Sequence, residues 1–75
     1  MNKKRRERIS KVVNSLEEIL TTVEEILDEE QDAYDNMPEN LQSSMRAEES
    51  EEAIEALDGT MESINSAIDA LNEIC

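Results

Sequence analysis

The chain has 75 residues, a net charge of −13 and a single residue each of Gly, Pro, Cys and Tyr. This length allows one small domain, and one Cys without any His excludes an intramolecular disulfide and a Cys/His zinc site. Glu, Ala, Leu and Ile are abundant while Gly and Pro are nearly absent, so the sequence predicts an all-α fold.

The first predicted helix covers residues 4–35. Apolar residues recur three and four positions apart from Ile9 to Leu27, which places them on one face of the helix. This stripe is three columns wide, whereas a seam between two helices needs only two. The first eight residues are mostly basic and are predicted to form a partly frayed N-terminal arm, residues 1–8.

A turn is predicted at residues 36–38. Pro38 disfavours a helical conformation at Met37, so the first helix should end before it. The same proline suits the first turn of a following helix. A connection this short makes the two helices antiparallel.

The second helix is predicted at residues 39–74. A regular four–three apolar pattern covers residues 54–71, but Leu41 and Met45 are out of phase with it. This phase difference predicts a kink or break within residues 43–50.

Gly59 raises an alternative, a three-helix arrangement with a break near this residue. The apolar phase continues across it from Leu57 to Met61, and this favours one continuous helix. In a continuous helix, Gly59 would allow the close approach of a neighbouring element.

The fold class predicted is therefore an antiparallel helical hairpin, which pairs residues whose numbers add up to about 74, such as Leu16 with Leu57. The surplus apolar column and the marginal size of the chain predict that two hairpins dimerise into a four-helix bundle. The predicted oligomer interface consists of Ile9, Val13, Leu16, Leu20, Leu27, Ile64, Ile68, Leu71 and Ile74.

Charge is distributed unevenly along the chain. Residues 1–11 hold six basic side chains, and the rest of the chain holds nineteen acids against Arg46 alone. Carboxylates at the closed end of the hairpin would form an acidic tip that substitutes for nucleic-acid phosphates on a basic protein surface. The alternative is a solvated helix face. The acidic tip comprises Asp28, Glu29, Glu30, Asp32, Asp35, Glu48, Glu49, Glu51 and Glu52.

Two further features can each be interpreted either as a binding site or as a structural element. Tyr34 and Met37 could form an apolar spot ringed by acids, which is typical of a small protein-binding hot spot, or they could simply cap the hairpin core. The basic start, residues 3–11, could bind nucleic acid, or it could neutralise the acidic helix beside it.

The sequence indicates neither catalysis, nor cofactor binding, nor insertion into a membrane. There is no His and no catalytic motif, so we expect no enzymatic activity and no catalytic residues. Acids from Asp28 to Glu39 have partial calcium-loop spacing, but Ala33 stands where that loop requires Gly, so neither a metal nor a cofactor is predicted. Without a signal peptide or a long apolar run, the expected location is the cytoplasm.

Two segments of the chain resemble known proteins: residues 33–42, AYDNMPENLQ, and residues 52–57, EAIEAL. They resemble small, acidic, helical proteins of bacteriophages and prophages, most of which have no assigned function. Members of that group often have Gly where this chain has Ala47, which makes a sharp break there less expected. The resemblance implies an origin in a mobile element, an accessory role and a location in the cytoplasm of a bacterial host.

The predicted function is a phage-encoded protein–protein interaction module that binds and inhibits a host protein through its acidic surface. That host protein would serve defence or act on nucleic acid. The first alternative is a structural or assembly protein of a phage particle or replication complex, which uses the apolar seam. The second is nucleic-acid binding through the basic N-terminal arm.

Overall fold

A computed structural model, which describes residues 1–41 and 44–74, is an antiparallel hairpin of two long helices. Helix α1 covers Lys3–Asp35 and helix α2 covers Met45–Ile74, with a 3-10 turn at Glu39–Leu41 between them. The two helices pack along each other, and the described residues contain no strand. The prediction of an all-α hairpin is confirmed.

Helix α1 begins at Lys3, within the basic segment at residues 1–8. Asn2 caps it, and its Oδ1 accepts a hydrogen bond of 2.9 Å from the backbone N–H of Arg5. This cap satisfies a backbone donor that the first helical turn would otherwise leave unpaired. The basic residues from Lys3 onward are therefore helical, one residue before the predicted start of the helix at residue 4.

The connection is longer than the predicted three residues. Asn36 ends α1, donating from its backbone N–H to the carbonyl oxygen of Asp32 at 3.0 Å. The 3-10 turn then closes through Leu41, which donates to the carbonyl oxygen of Pro38 at 2.9 Å. Ser44 precedes α2, and its Oγ accepts from the N–H of Ala47 at 3.4 Å. Helix α2 therefore begins at Met45 rather than at residue 39.

Helix α2 is continuous from Met45 to Ile74, so the three-helix alternative with a break near Gly59 is wrong. A Cβ added at Gly59 would meet nothing within 4 Å, so no neighbour approaches it closely. Within the range 43–50 predicted to hold a kink or break, Ser44 forms a bend before α2 and residues 45–50 are regular helix, while Ser43 lies outside the described residues. Leu41 is out of phase because it precedes the helix.

The seam between the helices is made of two columns from each, with residues seven apart within a column. On α1 one column runs from Ile9 to Glu30 and the other from Val13 to Tyr34. Their members, which are half-buried or buried, are Ile9, Leu16, Val23 and Glu30, then Val13, Leu20, Leu27 and Tyr34. The columns of α2 are Ser50, Leu57, Ile64 and Leu71, then Ala47, Ile54, Met61 and Ile68.

The register differs from the predicted one because the connection is longer. Ser50 pairs with Glu30 and Glu51 pairs with Tyr34, so paired numbers add up to 80 and 85 rather than to about 74. Each residue of α1 therefore faces a residue of α2 that lies roughly two helical turns further along than predicted.

The hairpin buries little apolar surface. Val13, Ala47 and Ile68 are the only buried apolar residues in the described part of the chain. The Cα radius of gyration is 17.2 Å and the molecule measures 59 × 14 × 13 Å, whereas a compact domain of this length would have a radius of gyration of about 11 Å. A rod of this shape leaves most of its side chains in contact with solvent.

The structure was also searched for membrane-spanning helices. Within the part of the chain that it describes, neither helix has an apolar stretch long enough to cross a bilayer.

Candidate functional site

The acidic tip is assembled from the end of α1 and the start of α2. Its α1 members occupy the last two turns of that helix, and its α2 members occupy the first two turns of the other. Glu30 is half-buried and the other eight acids are exposed. The two sequence segments are thus brought together as expected from a hairpin.

Tyr34 joins the helices at this end. Its hydroxyl donates a hydrogen bond of 2.5 Å to Oε1 of Glu51. This hydrogen bond is the main reason that the pKa of Tyr34 is raised, with smaller contributions from desolvation and from the charges of Glu51 and Asp35. The half-buried ring is therefore held as a neutral phenol against α2, and its position among the carboxylates is fixed.

A second hydrogen bond lies on the other side of the seam. Ser50, only 7% exposed, donates from its Oγ to Oε1 of Glu30 at 2.7 Å. The bond satisfies a half-buried carboxylate at a seam position that would otherwise hold an apolar residue. Ser50 thus ties the acidic tip to the end of the core.

A groove of about 480 Å³ opens on the side of the tip marked by Ser50. Met37, Pro38 and Leu41 supply its apolar wall, and the only cation in its lining is Arg46. The full lining is Glu30, Ala33, Asn36, Met37, Pro38, Leu41, Arg46, Glu49 and Ser50. Met37 lines this groove and Tyr34 does not, so the predicted apolar spot of Tyr34 and Met37 stays a prediction.

The two hydrogen bonds also show how the hairpin's two broad sides differ. Tyr34 and Glu51 mark one side of the seam. Between residues 17 and 69, the columns next to them carry ten exposed acids, which we call the acidic face. It consists of Glu17, Glu24, Asp28, Asp35, Glu48, Glu51, Glu55, Asp58, Glu62 and Asp69.

Glu30 and Ser50 mark the opposite side, which is apolar along its middle. Val12, Ile19 and Ile26 form a column of α1 that is 50%, 49% and 45% exposed. On α2 the corresponding surface is made of small side chains. We call this side the apolar face; it consists of Val12, Ser15, Ile19, Thr22 and Ile26 with Ala53, Ala56, Thr60, Ser63, Ala67 and Ala70.

The residues predicted for the oligomer interface lie mainly inside one chain. Eight of the nine belong to the intramolecular seam, where Val13 and Ile68 are buried, and only Ile74 is exposed, at 43%. The exposed third column of α1 (Val12, Ile19 and Ile26) is not part of the predicted oligomer interface, because the sequence alone does not give the rotation of α1 about its axis. Its signal in the sequence was the surplus width of the stripe.

Two polar residues at the tip, Arg46 and Ser50, are also not among the predicted site residues. Ser50 had a signal, because extending the four–three pattern backwards from Ile54 places it on the seam. Arg46 had none beyond being the lone cation of the second half of the chain.

The basic residues cluster at the other end of the hairpin. Arg5, Arg8 and Lys11 are exposed on the first turns of α1. With Met1, Ile9 and Val12 they line a shallow cavity of about 470 Å³. This cavity adjoins the apolar face, since Val12 belongs to both.

The structure was searched for metal sites as well. Among residues 1–41 and 44–74, no group of three or more His, Cys, Asp or Glu side chains could hold a metal ion. The calcium-like spacing runs through α1 as far as Asp35, so its acids point around a helix and do not converge as loop ligands do.

Comparisons of the chain with protein-family models, with curated proteins and with solved structures found no match. The surfaces of the hairpin differ sharply in chemistry, with an acidic face on one side and an apolar face on the other. These two faces are the candidate functional sites.

Proposed function

We propose that this protein is a non-enzymatic interaction module that binds a basic protein surface through its acidic face. The observation that supports this most is that ten of the nineteen exposed acids among the described residues form adjacent columns on one side of the rod between residues 17 and 69. Scattered acids would give solubility alone, whereas a one-sided row creates a directed field that attracts and orients a cationic partner.

The geometry of the row suits a partner that normally binds nucleic acid. Acids seven residues apart on one helix are separated by about 10 Å, and two helices supply parallel rows. The two columns of α2 alternate, so from Glu48 to Glu62 an acid recurs every three or four residues, or about 5 Å. A basic cleft that accepts a charged backbone, with a charge about every 3.4 Å along each strand, would meet carboxylates at a spacing of the same order. Tyr34, held by Glu51 at one end of the face, adds an aromatic contact of the kind enriched at hot spots.

The resemblance of residues 33–42 to small phage proteins supports a host protein as the partner. Under this proposal the module occupies a nucleic-acid-binding surface of a bacterial defence or nucleic-acid-acting protein and inhibits it by competition. The site of action is then the cytoplasm of the bacterial host.

The test compares two variants that each lose four negative charges. The first neutralises four acids of the acidic face: Asp28→Asn, Asp35→Asn, Glu48→Gln and Glu55→Gln. The matched control neutralises four exposed acids that belong neither to the acidic face nor to the acidic tip: Glu18→Gln, Glu25→Gln, Glu39→Gln and Glu73→Gln.

Immobilised wild-type protein is used to capture proteins from a bacterial lysate, and each captured protein is then purified and titrated with the three chains. We expect the acidic-face variant to bind at least about tenfold more weakly, and the control within about twofold of wild type, because only the face acids approach the partner. Duplex DNA should displace the partner. Equal binding by both variants, or no competition by DNA, would refute the proposal.

An assembly role is the second candidate, because three large apolar side chains stay half exposed on the apolar face. Under it, the acidic face only keeps the bundle in solution. The two roles differ in salt dependence, since charge-led binding weakens steeply with ionic strength while apolar packing does not. Nucleic-acid binding by the basic start of α1 stays a prediction, which a gel shift with duplex DNA tests.

A further inference from the structure

We propose that the apolar face is covered by a second copy of this chain. The two hairpins pack face to face and antiparallel, so that α1 lies on the partner's α1 and α2 on the partner's α2. The product is a two-fold symmetric four-helix bundle with an acidic face on each outer side. Four features of the hairpin lead to this arrangement.

The first feature is the exposed column itself. Val12, Ile19 and Ile26 are spaced seven residues apart, as in the seam of a coiled coil, yet each is 45–50% exposed. A rod that buries three apolar residues in its described part gains substantially from covering three more large ones. Residues 12–26 of α1 and 53–70 of α2 rise about 21 and 26 Å along their helices, so the apolar face covers the middle of a rod that is 59 Å long and 14 Å wide.

The second feature is that both threonine hydroxyls of this face are already satisfied. Thr22 donates from its Oγ1 to the carbonyl oxygen of Glu18 at 3.2 Å, and Thr60 donates to that of Ala56 at 2.8 Å. Each hydroxyl therefore turns back to its own helix and can be dehydrated at little cost. The small residues of α2 let a second backbone approach closely.

The third feature is a register that fits both helices at once. With Ile19 on the two-fold axis, Val12 meets the partner's Ile26. On α2 an axis between Thr60 and Ser63 sets Ala56 against the partner's Ala67. The two centres lie side by side in the hairpin, because the hydrogen bond from Ser50 to Glu30 fixes an intramolecular register in which Ile19 is level with residue 61.

The fourth feature is charge. In the antiparallel arrangement the basic start of α1 lies beside the partner's acidic tip, and Arg8 comes next to the partner's Glu29. The cavity lined by Met1 and Arg5 meets the partner's groove, whose lining includes Glu30 and Glu49. A parallel arrangement would instead bring two acidic tips together, and their repulsion disfavours it.

The first experiment measures molar mass by light scattering. At about 100 μM chain we expect wild type to have twice its 8.5 kDa chain mass. Ile19→Glu places two carboxylates on the two-fold axis and should raise the dimer dissociation constant about a hundredfold or more. Asn14→Glu adds the same charge on the opposite side of α1 and should leave the dimer intact. Circular dichroism checks that both variants keep their helices.

The second experiment tests the orientation by exchanging charges. Arg8→Glu and Glu29→Arg each create repulsive contacts in their own homodimer, so each alone should dimerise several-fold more weakly than wild type. Mixed in equal amounts, the two variants pair Glu with Arg at both ends of the interface. The mixture should regain the wild-type dimer mass as a heterodimer.

Each result supports or overturns the proposal. A monomeric wild type would leave the face to a foreign partner, and a dimer that tolerates Ile19→Glu would place the interface elsewhere. If mixing the two charge variants restores nothing, the antiparallel arrangement is wrong. None of these outcomes depends on the binding partner of the acidic face, so the proposed function is tested separately.

Discussion

At the scale of single residues, Tyr34 and Ser50 determine the chemistry of the hairpin's closed end. Both hydroxyls cross from one helix to the other, and both donate to a carboxylate, Glu51 and Glu30 respectively. Neutral donors paired with carboxylates allow acids to lie against the helix junction without a basic partner. The acidic tip therefore keeps its charge close to the core and still stays folded.

The pH dependence of Tyr34 follows from this contact. Its pKa is raised by the hydrogen bond to Glu51, so the folded state holds the phenol proton more tightly than the unfolded state does. The contribution to stability is complete below the ordinary tyrosine pKa of about 10 and is lost as pH rises through the higher folded-state value. Around neutral pH the contribution is constant, so this group should add no pH dependence to stability there.

Tyr34 is the only tyrosine and the chain has no Trp, so tyrosinate absorbance reports its titration directly. Glu51→Ala should lower the midpoint toward the value in an unfolded peptide. Asp35→Asn should lower it less, because the charge of Asp35 is the smallest of the four causes. An unchanged midpoint in Glu51→Ala would contradict the hydrogen bond.

At the scale of elements, two capping residues and a proline set where the helices begin and end. The interior of each helix is uninterrupted. Asn2 starts α1 and Ser44 starts α2. Pro38 keeps the connection from continuing either helix. The connection in turn sets which residues of α2 lie beside α1, because each residue added to it shifts the pairing of the antiparallel helices.

Gly59 is an exposed glycine inside α2, and it offers a simple test of this helix. Its φ is not positive, and a Cβ would meet nothing. Gly59→Ala should therefore raise the free energy of unfolding by about 0.5–1 kcal/mol, through higher helix propensity and lower entropy of the unfolded chain. Urea unfolding followed by circular dichroism measures this change. A destabilised variant would mean that a neighbour approaches this position.

At the scale of the whole molecule, the rod has two unlike sides. The acidic face repels other copies of itself, and the apolar face exposes a column that one hairpin cannot cover. A two-sided rod of this kind can associate through one side and bind a cationic protein through the other. Dimerisation would then give one particle two acidic faces, which raises the apparent affinity for a partner with two sites.

Small-angle X-ray scattering distinguishes side-by-side from end-to-end association. In the proposed dimer the mass doubles while the longest dimension stays near the 59 Å Cα length of one hairpin, apart from side chains and hydration. Association through the acidic tips or the N-termini would instead nearly double that length. An elongated particle of this second kind would contradict packing through the apolar face.

Local signals in the sequence determined a large part of this protein. Helix periodicity, the end of α1 before Pro38 and the separation of basic from acidic segments all depend on neighbours within a few residues. The surplus apolar column is also visible, since it follows from counting positions along one helix. For that reason the all-α hairpin and the acidic tip could be predicted.

The tertiary structure alone decided the register and the rotation of the helices. The longer connection moved the pairing of α2 along α1, and the rotation assigned Val13 to the seam and its neighbour Val12 to solvent. These are properties of two elements packed against each other, set by the summed burial of many side chains, so no single stretch of sequence contains them.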